Sequence, residues 1–217
     1  PLAELDRVVR QRKGVLYVDD AHAAGVIGTR GRGTVLDALG SYENALVVGS
    51  LSKRFSCAGG FIGCGTEMKR LLKMRSNTYI FGGPVVPPYL DAVVTVCGIL
   101  MSGEYELLAA RLGANLTRAR EGLLGLGLGV QGGKTPILSV EAGDEEVTLR
   151  AGQMLFERGY YVQSVIFPAV PYHAGVLRIQ VNANHTAAAI DGLISALGEV
   201  MREASLPRVA GAGRAAA

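Results

Sequence analysis

The chain has 217 residues, with 22 Lys and Arg against 19 Asp and Glu, a net charge of +3. Hydrophobic residues make up 49% and charged residues 19%, a balance that excludes intrinsic disorder and allows one large or two modest packed domains. No basic run interleaved with aromatics suggests a nucleic-acid surface, and no apolar stretch reaches the ~20 residues of a membrane span. The 30 glycines are about twice the usual ~7% share and lack a three-residue period, which excludes collagen and predicts tight turns and close backbone approaches. Cys57, Cys64 and Cys97 are odd in number and lack metal-ligand spacing, which reads as reduced thiols of a cytoplasmic protein.

Residues 1–10 have the pattern of an amphipathic helix. The chain opens inside it without a methionine, which suggests part of a longer protein. Residues 15–20, 45–50 and 60–64 are short apolar runs, the pattern of strands covered on both faces in a parallel sheet. Met68, Leu71, Leu72 and Arg75 give residues 66–75 helical spacing. Pro87 and Pro88 open a helix to about residue 101, where proline in the first turn costs no hydrogen bond. A second long helix spans about 104–124 and stops at Gly125, Gly127 and Gly129.

Beyond it, residues 136–140 read as a strand. Residues 144–158 read as a helix capped by Asp144 and stopped by Gly159. Strands are predicted at 160–164 and 176–181, and a last helix at 186–202 with Thr186 as its cap. Strand–helix alternation on both sides of a boundary near 96–103 makes the class α/β. The expected organisation is one domain over 1–98, a second α/β domain over 99–205, and a disordered Gly/Ala/Arg-rich tail over 206–217.

Two places could carry chemistry. Asp19, Asp20 and His22 follow the first apolar run, where α/β sheets bind ligands; equally, Asp19 could cap a turn and His22 could pack. Lys53 follows the second run and enters a loop of small residues. Desolvation there would make its amine nucleophilic, and the plain alternative is a surface lysine. The spacing between Asp19 and Lys53 suits one crossover within a parallel sheet, which would turn an acid and an amine toward one crevice. Pyridoxal phosphate (PLP) chemistry needs this pair: the lysine forms a Schiff base, and the carboxylate keeps the pyridinium nitrogen protonated.

These residues resemble a known family. The segment from Val18 through Asp19, Asp20, Ala21, His22 and Gly25 to Gly28, Gly31, Arg32 and Gly33 is similar to the "DEAH…G…G..GRG" run of the PLP-dependent α-oxoamine synthases. That family includes 8-amino-7-oxononanoate synthase, glycine C-acetyltransferase, 5-aminolevulinate synthase and serine palmitoyltransferase. Ser50 through Lys53 to Gly59 and Gly60 resembles its lysine segment. Phe167, Pro168, Pro171, Arg178, His185 and Thr186 resemble its later "P.VP…RLR…HT" run. The likeness covers about residues 1–203 and corresponds to the C-terminal half of the family, a PLP-dependent transferase of fold type I.

The resemblance implies roles by position. Lys53 is the Schiff-base lysine and proton carrier. Asp19 pairs with the pyridinium nitrogen, and Asp20 holds structure. His22 meets the cofactor's phenolic oxygen, Ser50 contacts the phosphate, and Arg178 grips the amino acid's carboxylate through its planar fork. His185 is structural and His173 a loop residue. Two departures stand out: Gly82 and Gly83 replace hydroxyl residues that reach a neighbouring subunit's phosphate, and Arg54 and Ser56 replace small residues after the lysine.

The implied activity is condensation of an amino acid with an acyl thioester, acyl-CoA or acyl carrier protein, with decarboxylation, in a homodimer. Class I/II transamination and a catalytically silent partner subunit are the alternatives. By itself, the 217-residue chain is expected to hold PLP poorly, to be inactive and to expose an apolar face.

Overall fold

The computed structural model describes residues 1–132 and 135–207. The chain divides into two compact units, Pro1–Leu107 and Leu108–Ala217, with the division in the first turn of a long helix.

In the first unit, α1 (Leu2–Gln11) precedes β1 (Leu16–Asp19), α2 (Thr34–Leu39) and β2 (Ala45–Ser50). β1 and β2 are parallel neighbours, with Leu16 opposite Ala45 and Asp19 opposite Val48. The strand–crossover–strand arrangement expected from the spacing is therefore present. β3 (Gly60–Gly63) joins the other edge of β2 antiparallel, pairing Ser50 with Gly60. This corrects the reading of all three runs as parallel strands: a nine-residue loop between Ser50 and Gly60 brings the chain straight back, whereas a parallel return needs a crossover of a dozen or more residues.

Side-chain alternation gives this sheet two unlike faces. Leu16, Val18, Ala45 and Val47 pack with Val35 and Leu39 of α2 and with Leu2 and Val9 of α1. On the other face stand Tyr17, Asp19, Val48, Ser50 and Ile62. Tyr17 is 67% and Ile62 52% exposed, so within this unit the sheet is covered on one face rather than on both. Three helices follow: α3 (Thr66–Arg75), α4 (Asn77–Phe81) and α5 (Pro87–Leu100). α5 begins at Pro87 as the sequence places it, α3 covers the residues with helical spacing, and the short α4 carries no sequence signal beyond its Ser76 cap, which accepts from the Tyr79 N–H.

The second unit begins within α6 (Glu104–Gly125). It continues through β4 (Val130–Gln131), β5 (Ile137–Gly143), α7 (Glu145–Glu157), β6 (Gln163–Val165), β7 (Gly175–Gln180) and α8 (Ala187–Glu203). Its four strands are ordered β4-β5-β7-β6, and all neighbouring pairs are antiparallel. Leu138, Val140, Leu177 and Ile179 pack against Leu155 of α7, Leu197 and Val200 of α8, and Leu123 of α6 in one buried core. Asp144 caps α7 by accepting from the Glu146 N–H, and Thr186 caps α8 by accepting from the Ala189 N–H. Residue 206, placed in the expected tail, is instead ordered against the second unit: Leu206 is buried, and its N–H reaches the Met201 carbonyl. The rest of that expectation, 208–217, lies outside the described residues.

Candidate active site

β1 and β2 run in the same direction, so their carboxyl ends meet at one end of the sheet. Asp19 closes β1 and Ser50 closes β2, and both belong to the open face. The sequence predicts that these two runs are strands of one parallel sheet, and the register of β1 on β2 has that form.

The two neighbouring acids behave differently. Asp20 is 3% exposed, and its carboxylate accepts from the Thr34 N–H at 2.8 Å and the Thr34 hydroxyl at 2.5 Å. It ties the end of β1 to the start of α2. Gly33 lies so close that a Cβ there would collide with the Asp20 carboxylate, and its φ of +93° already favours glycine. Asp19 is exposed, with one carboxylate oxygen accepting from the Ala21 N–H at 2.9 Å. Asp19 thus makes the turn that the plain reading of the sequence foresaw, and it faces solvent at the sheet's open end. His22 is exposed in the same turn.

Lys53 lies three residues beyond Ser50, in a loop closed at its base. The Leu51 N–H donates to the Gly59 carbonyl, and the Cys57 N–H donates to the Leu51 carbonyl. Leu51, Phe55 and Cys57 are buried against Ala92, Val93 and Val96 of α5. Those anchors turn inward, so Lys53 is exposed at the tip. The desolvation suggested by the sequence is therefore not supplied by the described residues around it. The Ser50 hydroxyl lies 2.8 Å from the Ser52 hydroxyl and accepts from the Ser52 N–H. Arg54, next to Lys53, is half-buried, and burial pushes its guanidinium below its ordinary range.

Arg178 lies in the second unit. On β7 it sits between Ser139 of β5 and Gln163 of β6, on the face opposite the buried Leu177 and Ile179. No carboxylate among the described residues is within ion-pair distance of it. His185 holds the turn before α8, its Nδ1 accepting from the Asn182 N–H while its carbonyl accepts from the Asn115 side chain. His173 is exposed, as a loop residue would be, and its Nδ1 lies 3.0 Å from Asp144. At the glycine pair, a Cβ on Gly82 would run into the Thr78 carbonyl, whereas Gly83 faces open space.

The sequence did not reveal that Thr34 is the partner of Asp20, because the contact joins residues on either side of a long turn. Its local signal is Gly33, a residue without a side chain immediately before the helix.

The chain matches the aminotransferase class I and II family over residues 1–197. A Desulforudis audaxviator protein provisionally named 8-amino-7-oxononanoate synthase is 38% identical over 204 residues, covering 94% of this chain and 52% of that relative. The 8-amino-7-oxononanoate synthase of Methylococcus capsulatus is 35% identical over 202 residues, covering 93% of this chain and 52% of its own length. Among solved structures, the high-resolution structure of SPT with its PLP internal aldimine superposes with a TM-score of 0.87 at 27% identity, over 95% of this chain and 52% of that one. Sphingomonas wittichii serine palmitoyltransferase gives 0.86 at 26% identity, over 95% of this chain and 52% of its own. The chain spans about half the length of the curated relatives it matches. A shared sequence pattern over nearly the whole chain and a shared backbone lead to one statement: the chain belongs to the aminotransferase class I and II family.

Proposed function

We propose that this chain contributes the lysine-bearing half of a PLP-dependent acyltransferase site that joins an amino acid to an acyl thioester. The observation that carries this reading is the meeting of Asp19 and the Ser50–Lys53 segment at one end of two adjacent parallel strands. The residues suit the cofactor chemically. An exposed carboxylate on the open face can pair with a protonated ring nitrogen. A hydroxyl on the same face can donate to a phosphate, and an exposed amine nearby can bond an aldehyde carbon. When bound, PLP supplies an electron sink for the substrate's α-carbon.

The rest of the work falls to the chain's own side chains. Asp19 holds a negative charge where a protonated nitrogen needs one. Lys53 anchors the cofactor and moves a proton at the substrate α-carbon, which it can reach because the loop leaves its amine in solvent. Ser50 orients the phosphate, and His22 orients the ring's oxygen. For Arg178, which has no acidic partner among the described residues, the resemblance implies a grip on the amino acid's carboxylate through its two-pronged guanidinium. The names of the relatives support the acyl-transfer chemistry, with 8-amino-7-oxononanoate synthases and serine palmitoyltransferase among them. The expected working form is a homodimer.

The test supplies PLP, one of glycine, alanine or serine, and an acyl-CoA or acyl carrier protein to the longest natural chain carrying this sequence. Free thiol should appear and should vanish in Lys53→Ala. Keto-acid formation without thiol release would replace this reading with transamination, and no reaction with any donor pair would favour a silent partner subunit. The 217-residue chain alone is expected to release no thiol.

A further inference from the structure

Among the described arginines, five carry a carboxylate partner: Arg10, Arg30, Arg70, Arg118 and Arg158. Those without one are exposed, with two exceptions: Arg178 and Arg54 are partly buried and have no carboxylate within ion-pair distance. A guanidinium withdrawn from water without a counter-charge is unfavourable, and such groups are normally paired. Arg178 has an assigned anion in the reading above, whereas Arg54 has none.

The surroundings of Arg54 locate it. Its stem lies against the turn that follows β1: a methyl group built on Gly25 would be 3.3 Å from the Arg54 Cβ. Its backbone belongs to the loop that follows β2. Arg54 therefore spans the two loops at the carboxyl ends of adjacent parallel strands, the place where α/β sheets receive ligands. The loop around it is fixed by the buried Leu51, Phe55 and Cys57, so its position is not that of a freely swinging surface side chain.

We infer that Arg54 is a ligand-anion receptor, a specificity residue that takes a phosphate or carboxylate group entering the crevice between the β1 and β2 loops. This deepens the proposed function and rests on it for the crevice. The anion is distinct from the amino acid's carboxylate, for which the proposed function names Arg178. A planar fork at this point selects a ligand with a second anionic group and disfavours a wholly apolar one.

The experiment uses the isotope-labelled chain without PLP. It is titrated with inorganic phosphate and, separately, with acetate, with chloride holding the ionic strength constant. The Arg54 side-chain Nε–H and Gly25 backbone N–H signals are followed. The expected result is a saturable shift of both signals by at least one of the two anions, which identifies the group received. Binding should weaken about tenfold or more in Arg54→Met, the loss expected for a charge-assisted hydrogen bond. Met keeps an apolar stem on Gly25, and Arg54→Lys should bind with intermediate strength. Shifts no larger than the chloride control, or saturable binding unchanged in both variants, would overturn the inference. Lys53→Ala should leave the anion response intact. Failure of PLP to modify Lys53 while that response persists would overturn the cofactor reading and not the role of Arg54.

Discussion

At the residue scale, the two adjacent acids differ in setting, Asp20 buried and Asp19 exposed. Asp20 is buried and saturated by Thr34, so its removal leaves a donor N–H and a hydroxyl without their partner. Asp20→Ala should lower unfolding stability by about 1–3 kcal/mol, read as a shifted urea midpoint. Asp19→Asn should change stability by less than about 0.5 kcal/mol, because an exposed carboxylate's turn contact is retained by the amide. A reversed order of the two effects would assign the acids the wrong way round. The tetrapeptide holding both acids did not by itself tell which one stands on the open face of the sheet. Strand alternation does, since Asp19 shares a face with Val48 and Ser50. The exposure of Lys53 agrees with the plain alternative of a surface lysine, whereas the capture of Leu51 and Phe55 by α5, distant in sequence, was not legible.

At the scale of elements, local chemistry was the most readable part. β2 and α3 span the predicted residues, and α7 and α8 start at the predicted caps. Each is bounded by a residue whose effect is local: Ser50 before the loop, Asp144 and Thr186 as caps, Gly159 as a stop. The direction of β3 was hidden because an apolar run looks the same parallel or antiparallel. Thr186→Ala should cost about 1 kcal/mol through loss of the α8 cap.

The α7 cap also carries a pH dependence. The hydrogen bond from the Glu146 N–H, and then the side chain of His173, hold the Asp144 carboxyl below its ordinary value of 3.8. A depressed folded-state value means the stabilisation is present above the ordinary carboxylate range and is lost as pH falls through the folded value. The difference in urea midpoint between the natural chain and Asp144→Ala should therefore be full near neutral pH and shrink at about pH 3 and below. A difference that grows on acidification would contradict this. In the loop after α4, Gly82→Ser should destabilise by collision with Thr78, while Gly83→Ser should be close to neutral. Equal effects would show that the glycine pair is not held by that helix end.

At the scale of the whole molecule, the first unit leaves apolar surface uncovered. Tyr17 and Ile62 stand on the open sheet face, and Phe81 and Val94 are 83% and 69% exposed. Among the described residues, no single helix is long and apolar enough to cross a membrane. The chain spans about half the length of its curated relatives, and exposed apolar surface of this extent is of the kind that marks interaction or ligand sites.

The account stands on Lys53 being the amine that receives the cofactor. The direct measurement is reductive trapping: PLP is added in excess, borohydride fixes any imine, and peptide masses locate the label. Lys53 should be modified well ahead of Lys13, Lys69 and Lys73, which are exposed lysines of the same unit outside the loop that follows β2. Asp19→Asn should reduce that preference. Label spread evenly over the four lysines, with no effect of Asp19→Asn, would contradict the account.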